Sequence, residues 1–528
     1  MTEVPAKQYD IIIVGGGHNG LVCAAYLAKA GRKVVVLEAN PKPGGSAVTS
    51  ELATGRKVSS CAYFLNQLNT SIAKDLSLAS HGLKMAATDL PTIVLDRRGD
   101  HLTLSGNRAS GAGISDQDAL AYSEFVRLMR DYAEVLNFLV STPPMDIFNP
   151  DWPDKLAALK LAWKLRIGLG GNRMSEFFRQ IGMNIHDVLE DEFEHKLLKG
   201  ALSFDAVLGT HSGPRSPGSV FTFLYRMTGG NGGSLNVPEG GMGSVTRAIA
   251  RSAEAAGAEI RVNSRVASIN VDNCRVTGVT LKNGEVLNAR TVVSNADPRT
   301  TVMQLVGPRN FEADFVKRID DIRMRGNAAK LHLAVNKLPN FTGLDKEKLH
   351  SRLVIAPDHD EVERAFNHVK YREFSARPMM EIAIPSIADN TLAANGHLLS
   401  ATVQYAPYNL KGGWSEQARQ TFLELSIDRI AEYAPDIRDH IEHAELLTPV
   451  DLELRFGLQG GNWHHGELSL DHMLMLRPAP EASRYALPLS GMFLCGSGAH
   501  PGGGVTGLAG KHAARAILKA GQSKGGNQ

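Results

Sequence analysis

Ile11-Ile12-Ile13-Val14-Gly15-Gly16-Gly17-His18-Asn19-Gly20, leading through a small-residue stretch to Val34-Val35-Val36-Leu37-Glu38, is the passage that decides the fold. Four consecutive β-branched apolar residues before a glycine turn suit a parallel strand buried on both faces. Residues 21–30 are mostly small and apolar and stop at Gly31, which suits a helix. Val34 to Leu37 reads as a second buried strand, so strand, turn, helix and strand together fill about 30 residues, the size of one βαβ unit.

Inside that unit, Gly15-Gly16-Gly17-His18-Asn19-Gly20 satisfies G-x-G-x-x-G. Gly15 permits the tight turn off the strand, Gly17 lets the backbone approach a pyrophosphate, and Gly20 lets the helix pack on the strands. The helix N-terminus offers free N–H groups and a positive dipole end to phosphates. Glu38, eighteen residues beyond Gly20, closes the second strand, where a carboxylate accepts hydrogen bonds from both adenosine ribose hydroxyls and opposes a 2′-phosphate. Pro43-Gly44-Gly45 follows, and adjacent glycines suit a loop that runs close against a bound cofactor.

Working outward, the chain has 528 residues, enough for two or three domains. A hydrophobic fraction of 43% and a charged fraction of 21% belong to a globular protein. Lys+Arg 57 against Asp+Glu 55 leaves a net charge of +2, too balanced to announce nucleic-acid binding. Cys23, Cys61, Cys274 and Cys495 form no CxxC pair and no zinc-ligand cluster, so neither a redox disulfide nor a metal site is expected. Few, scattered cysteines suit a reducing, cytoplasmic compartment. The opening MTEVPAKQYD lacks a secretory pattern, and no run approaches the roughly 18–20 apolar residues of a spanning helix. The expectation is a soluble protein, at most peripheral to a membrane.

Residues 116–199 carry apolar positions at helical spacing, and a Gly/Pro/Ser-rich stretch follows at 209–218. A second α/β pattern starts near Gly240. It comprises a helix over 244–256, strands over 259–262 and 266–271, a hairpin of 276–281 with Val286 about Asn283-Gly284, and a strand over 291–293 that ends at Asn295-Ala296-Asp297. Residues 327–405 alternate like antiparallel strands. The end repeats the opening grammar, with a strand over 492–495, a glycine loop and a helix over 508–518; the tail 523–528 is expected to be disordered. This makes an α/β protein with a discontinuous Rossmann-type nucleotide domain (1–100, 231–310 and 456–528). An α+β substrate domain is inserted in it, formed by a helical part (101–230) and an antiparallel sheet (311–455).

These motifs carry a family resemblance over nearly the whole chain. The glycine fingerprint, the GG pair, the strand at Val266, Asn295-Ala296-Asp297 and CGSGAHPGGGVTG (495–507) resemble the phytoene-desaturase and carotenoid-isomerase branch of FAD-dependent oxidoreductases. FGLQGGNWHHGELSLD (456–471) with Arg477-Pro478 is similar, more narrowly, to the pyridine nucleotide-disulfide oxidoreductase domain-containing protein 2 group. Two departures are Ser46, where many relatives place Arg after the GG pair, and Ser497, where many flavoproteins have Asp.

The resemblance implies an amine-oxidase/desaturase-like flavoprotein fold with non-covalent FAD. Gly15, Gly17, Gly20, Glu38, Gly44 and Gly45 would hold the ADP half, Val266 would meet the adenine through its backbone, and the loop with Gly496, Gly504 and Val505 would cradle the flavin. Cys495 is not assigned as a covalent attachment point. His464 and His465 fall in the segment that in this family approaches the flavin from the substrate side. They are the catalytic candidates, as general base or polar anchor, against the plain alternative of loop histidines satisfied by backbone; His500 stands the same way.

The function implied is desaturation, oxidation or isomerisation of an apolar, isoprenoid- or lipid-like substrate. Oxygen or a quinone would be the acceptor, because no second dinucleotide fingerprint follows. The alternatives are a flavin-bound regulatory protein resembling the Rab GDP-dissociation inhibitors, and an amine oxidase, which would want an aromatic cage. Residues 154–169 (DKLAALKLAWKLRIGL) interleave Leu, Trp and Ile with Lys and Arg, the pattern of a helix that either lies in a bilayer interface or packs on the body of the protein.

Overall fold

The structure, a computed structural model, describes residues 9–525; most of the opening decapeptide lies outside them. The opening passage folds as strand Ile11–Val14, helix His18–Lys29 and strand Val34–Leu37. The helix starts three residues before the apolar pattern does, because the last turn of the glycine fingerprint is itself helical.

Five strands form a parallel sheet in the order Glu259–Arg261, Val34–Leu37, Ile11–Val14, Thr291–Ser294 and Met492–Leu494. Three separate visits of the chain build it. Ile12 sits in register between Val35 and Val292, all fully buried, which is why these strands read as unbroken apolar runs. Helix Met242–Ala255 belongs to the same core, as does the closing helix Leu508–Gly525. A Cβ on Gly510 would lie 2.1 Å from the Asn19 carbonyl oxygen, so the opening and closing helices touch at backbone distance. The closing helix corrects the expectation for the tail: its packed face carries it through Gly525, so residues 523–525 are helical and 526–528 fall outside those described.

A meander of Val266–Asp272, Arg275–Leu281 and Val286–Asn288 turns at Asn283-Gly284, where Gly284 has φ +88°. The second large sheet has eight strands. Its order is Ile441–Leu447, Ala328–Val335, His397–Gln404, Met379–Ala383, Arg352–Ile355, Thr92–Val94, Leu102–Ser105 and Arg108–Gly111. Thr92–Val94 pairs in parallel with Arg352–Ile355, so this part of the 1–100 span hydrogen-bonds into the eight-stranded sheet. Ala328–Val335 is buried at every position, with Lys330 and His332 on one face and Leu331 and Leu333 on the other.

Between these parts lies a helical layer that begins with Asp116–Val140, N-capped by the Ser115 hydroxyl accepting from the Asp118 amide. Most of its helices bury an apolar face around Phe125, Tyr132, Leu198 and Phe204. Trp152–Trp163, continued by the π-helical turn Lys164–Leu169, buries only Leu169 there, with Leu161 and Leu165 partly buried against it. Trp152, Leu156, Leu159, Trp163 and Ile167 are exposed, Trp163 to 61%. No helix among the described residues is long and apolar enough to cross a membrane.

Candidate functional site

A cavity of about 460 Å³ runs from the glycine turns of the parallel sheet to the face of the eight-stranded sheet. Its first end is made of backbone. Gly15, Gly17, Glu38, Gly44 and Gly45 line it, with Arg265 and Val266 beside them. The buried Glu38 carboxylate accepts from the Gly16 amide through Oε2 and from the Asn40 amide through Oε1, each at 2.8 Å. A carboxylate oxygen has a second lone pair, so Glu38 is oriented by the loop and keeps acceptor capacity for hydroxyls. The Gly44 amide donates to the Gly16 carbonyl at 2.8 Å, which ties the GG pair to the fingerprint.

A Cβ on Gly17 would come within 2.6 Å of Asn295 Nδ2, and one on Gly45 within 3.1 Å of the Gly17 Cα. The first helix has no side-chain N-cap, so its leading amides stay free. His18 Nε2 and Asn19 Oδ1, on that first turn, are buried without a hydrogen-bond partner. A glycine cradle, free amides and an oriented acid fit the ADP half of FAD.

The glycine loop after the last parallel strand contributes Ser497, Gly504 and Val505 to the lining. Gly496 stands behind the wall: its Cβ would strike the Asn295 carbonyl oxygen at 2.5 Å, so the glycine there serves packing. Gly20 likewise lies behind the wall, 2.3 Å from the Gly15 carbonyl by the same measure. Cys495 is fully buried and lies outside the lining.

His464 and His465 both line the cavity. Burial, with the nearby Arg477 guanidinium, pushes His464 down to about 3 and His465 to about 4. Trp463 Nε1 donates to His464 Nε2 at 2.9 Å, which leaves the ring proton on Nδ1, and that atom finds no partner. Both rings are therefore neutral, and His464 is aimed as a donor rather than set up as a base. Arg477, fully buried, donates to the carbonyls of Ser497 at 2.9 Å and His464 at 2.5 Å and so clamps the histidine loop to the glycine loop. His500 lies outside the lining, with Nε2 on the Thr142 carbonyl at 3.0 Å.

The other end of the cavity is made of side chains that the sequence analysis did not single out: Tyr63, Asp205, Arg226, Lys330, Glu381 and Thr402. Lys330 Nζ donates to Thr402 Oγ1 at 2.8 Å and sits 4.0 Å over the Tyr63 ring. Burial lowers it to about 8, against the opposing pull of Glu381. Burial alone would raise Glu381, but Arg352, Arg226 and Lys330 hold it down at about 2. The Tyr63 hydroxyl donates to the Glu381 carbonyl at 3.0 Å, and Phe64 meets the Tyr63 ring edge-on at 4.8 Å. A signal for this end did exist: Lys330 and His332 share one face of an otherwise apolar strand, and Glu381 is a lone acid in an apolar run.

Away from the cavity, His186, Glu190 and His359 come together. The protein's own cations occupy them, Lys199 on Glu190 at 2.6 Å and Arg215 on His186 at 3.0 Å.

The family profile described as flavin containing amine oxidoreductase matches residues 20–354. The chain is 36% identical over 543 residues to pyridine nucleotide-disulfide oxidoreductase domain-containing protein 2 of Rattus norvegicus, covering 97% of this chain and 94% of that one. It is 22% identical over 528 residues to the phytoene desaturase (lycopene-forming) of Pantoea ananas, covering 96% and 98%. Cyclohexylamine oxidase from Brevibacterium oxydans IH-35A shares the fold with a TM-score of 0.58 at 15% identity, covering 98% of this chain and all of that one.

Proposed function

The chain belongs to the flavin-containing amine oxidoreductases and is an FAD-dependent oxidoreductase, and from that premise we propose that it takes hydride from a C–H bond of a substrate with an apolar body, in desaturation or oxidation, or assists a redox-neutral isomerisation of it. The observation that carries this reading is the continuity of the cavity, with a dinucleotide cradle at one end and a walled side-chain chamber at the other. FAD, when bound, supplies the hydride acceptor. Gly15, Gly17, Gly44, Gly45 and the free helix amides would hold its pyrophosphate side, Glu38 its ribose, Val266 its adenine, and Gly504 and Val505 its flavin side. The attachment is non-covalent; Cys495, the thiol nearest the glycine loop in sequence, lies outside the lining.

Lys330 is the proton carrier at the chamber end. Held near 8 by burial, it exists partly as free amine at neutral pH and can take up a proton beside the reacting carbon. His464 and His465 act as neutral polar anchors, and the aliphatic and aromatic surfaces around them exclude water. Electrons leave to oxygen or a quinone. The exposed stripe Trp152, Leu156, Leu159, Trp163 and Ile167, flanked by Lys155, Lys160, Lys164 and Arg166, supports peripheral contact with a bilayer, where both an apolar substrate and a quinone reside. Four free cysteines suit a cytoplasmic setting.

Amine oxidation is the second reading, favoured by the Tyr63–Phe64 pair at the cavity wall. The test is anaerobic: purified yellow protein releases FAD on acid denaturation, and its flavin bleaches with an unsaturated or saturated lipid-like substrate. Colourless protein that FAD does not reconstitute defeats the proposal.

A further inference from the structure

Resting on the flavoenzyme reading, we propose that the substrate carries an anionic group, a carboxylate in its simplest form, and that Arg226 receives it. Arg226 ends the helix Ser219–Arg226 and lines the cavity with its side chain 25% exposed. Its neighbours are two carboxylates, Asp205 Oδ1 at 3.5 Å from Nε and Glu381 Oε2 at 3.6 Å from the terminal nitrogen. Those separations give charge attraction without hydrogen bonds.

Both acids are already engaged. Arg352, 2% exposed, donates to the two Asp205 oxygens at 2.5 and 3.2 Å and to Glu381 Oε2 at 2.8 Å. Thr402 donates to the remaining Glu381 oxygen at 3.2 Å. Among the described residues the Arg226 guanidinium donates no hydrogen bond, so a planar fork of donors faces the cavity unused.

The charges point the same way. Arg226 and Lys330 line the chamber with Asp205 and Glu381, and Arg352 stands buried behind the two acids, outside the lining, so three basic groups surround two carboxylates. A purely structural cluster has no use for the surplus, because Arg352 already satisfies both acids. An entering carboxylate takes the free donors of Arg226 in a bidentate pair. A neutral ester offers weaker acceptors and no charge. An ammonium group would meet the Arg226 guanidinium, with the two carboxylates that might receive it already bonded by Arg352. The substrate class is therefore an amphipathic acid, with an apolar body and one anionic end.

The test uses the FAD-loaded protein and reads shifts in the flavin absorbance on titration with decanoate, methyl decanoate and decylamine. Decanoate is expected to bind at least tenfold tighter than its ester. Arg226→Met should bring decanoate to the level of the ester while leaving the ester's own affinity, the FAD content and the oxidised spectrum unchanged; Arg226→Lys should retain part of the preference. The proposal is overturned if decanoate binds no better than the ester or not at all, if the preference survives in Arg226→Met, or if decylamine binds tightest, which would favour amine oxidation. Should the protein hold no flavin, calorimetry with the same three ligands still reads the preference, so the two readings fail separately.

Discussion

The two ends of the cavity are built by opposite means. At the cofactor end the wall is backbone: glycines whose added Cβ would collide, a helix N-terminus left uncapped, and one acid oriented by two amides. At the chamber end the wall is side chains, and its main members come from six segments between Tyr63 and Thr402. A backbone site tolerates almost no change of shape. A side-chain site tolerates changes of shape but depends on charge balance. Variants at the first end should therefore remove FAD outright, whereas variants at the second should leave FAD bound and alter stability, proton transfer or substrate choice.

The sharpest break is Gly17→Val. Even a Cβ at this position comes within 2.6 Å of Asn295 Nδ2 on the cavity side, and the γ-methyls add to it. Near-complete loss of FAD with a cooperative melt retained is the expected outcome, read from the ratio of flavin to protein absorbance. Next is Arg352→Met, which leaves the buried Glu381 and the half-buried Asp205 with only the longer-range charge attraction of Arg226 and Lys330. Breaking a buried pair in this way costs about 3–5 kcal/mol, measurable by denaturant unfolding, and should leave the flavin spectrum in place. Glu38→Ala should weaken FAD by about 1.5–3 kcal/mol for each charge-assisted hydrogen bond lost, in an equilibrium titration of the apoprotein. A Glu38→Ala protein that binds FAD as the parent does would erase the distinction between the two ends.

Lys330 sharpens the comparison through pH. Its folded value lies near 8, below the ordinary lysine value of about 10.4. Between those values the unfolded chain holds a proton that the folded chain lacks, so stability should rise with pH across that window, and the rise should vanish in Lys330→Met. If the free amine takes the proton, the single-turnover rate of flavin reduction should climb up to about tenfold per unit below pH 8 and level off above it. A flat profile would retire Lys330 from that role.

Legibility divided along the same line. The parallel sheet, its glycine turn and Glu38 were readable because the dinucleotide unit is local: its strands, turn and acid fall within one continuous stretch, and glycine is forced wherever backbone meets backbone. The meander turned at Asn283-Gly284 for the same reason. Gly496 had the right residue type for a different cause, packing on Asn295. The chamber was not legible, since Lys330 and Glu381 meet only when their strands pair on either side of Thr402, and Asp205 and Arg226 arrive from helices of the inserted layer. The extent of the closing helix was missed because residues 519–525 carry few apolar residues, and the helix is held by its earlier packed turns.

The smallest effect is expected at the two histidines, which reach the cavity from the loop between the ends. A general base is worth about 10²–10⁴-fold, and is most effective when its own pKa lies near the working pH. Burial and Arg477 hold His464 at about 3 and His465 at about 4, so neither ring takes up a proton readily near neutrality. The His464 ring is further occupied, with Nε2 accepting from Trp463 and the protonated Nδ1 left to donate. What each ring can contribute is one neutral hydrogen bond to substrate or cofactor, about 0.5–1.5 kcal/mol. His464→Gln and His465→Gln, each keeping a polar donor, should then slow single-turnover flavin reduction by roughly tenfold at most by that measure, without displacing its pH profile. A hundredfold loss in either, with FAD content and oxidised spectrum intact, would make that histidine a proton carrier and move the chemistry away from Lys330.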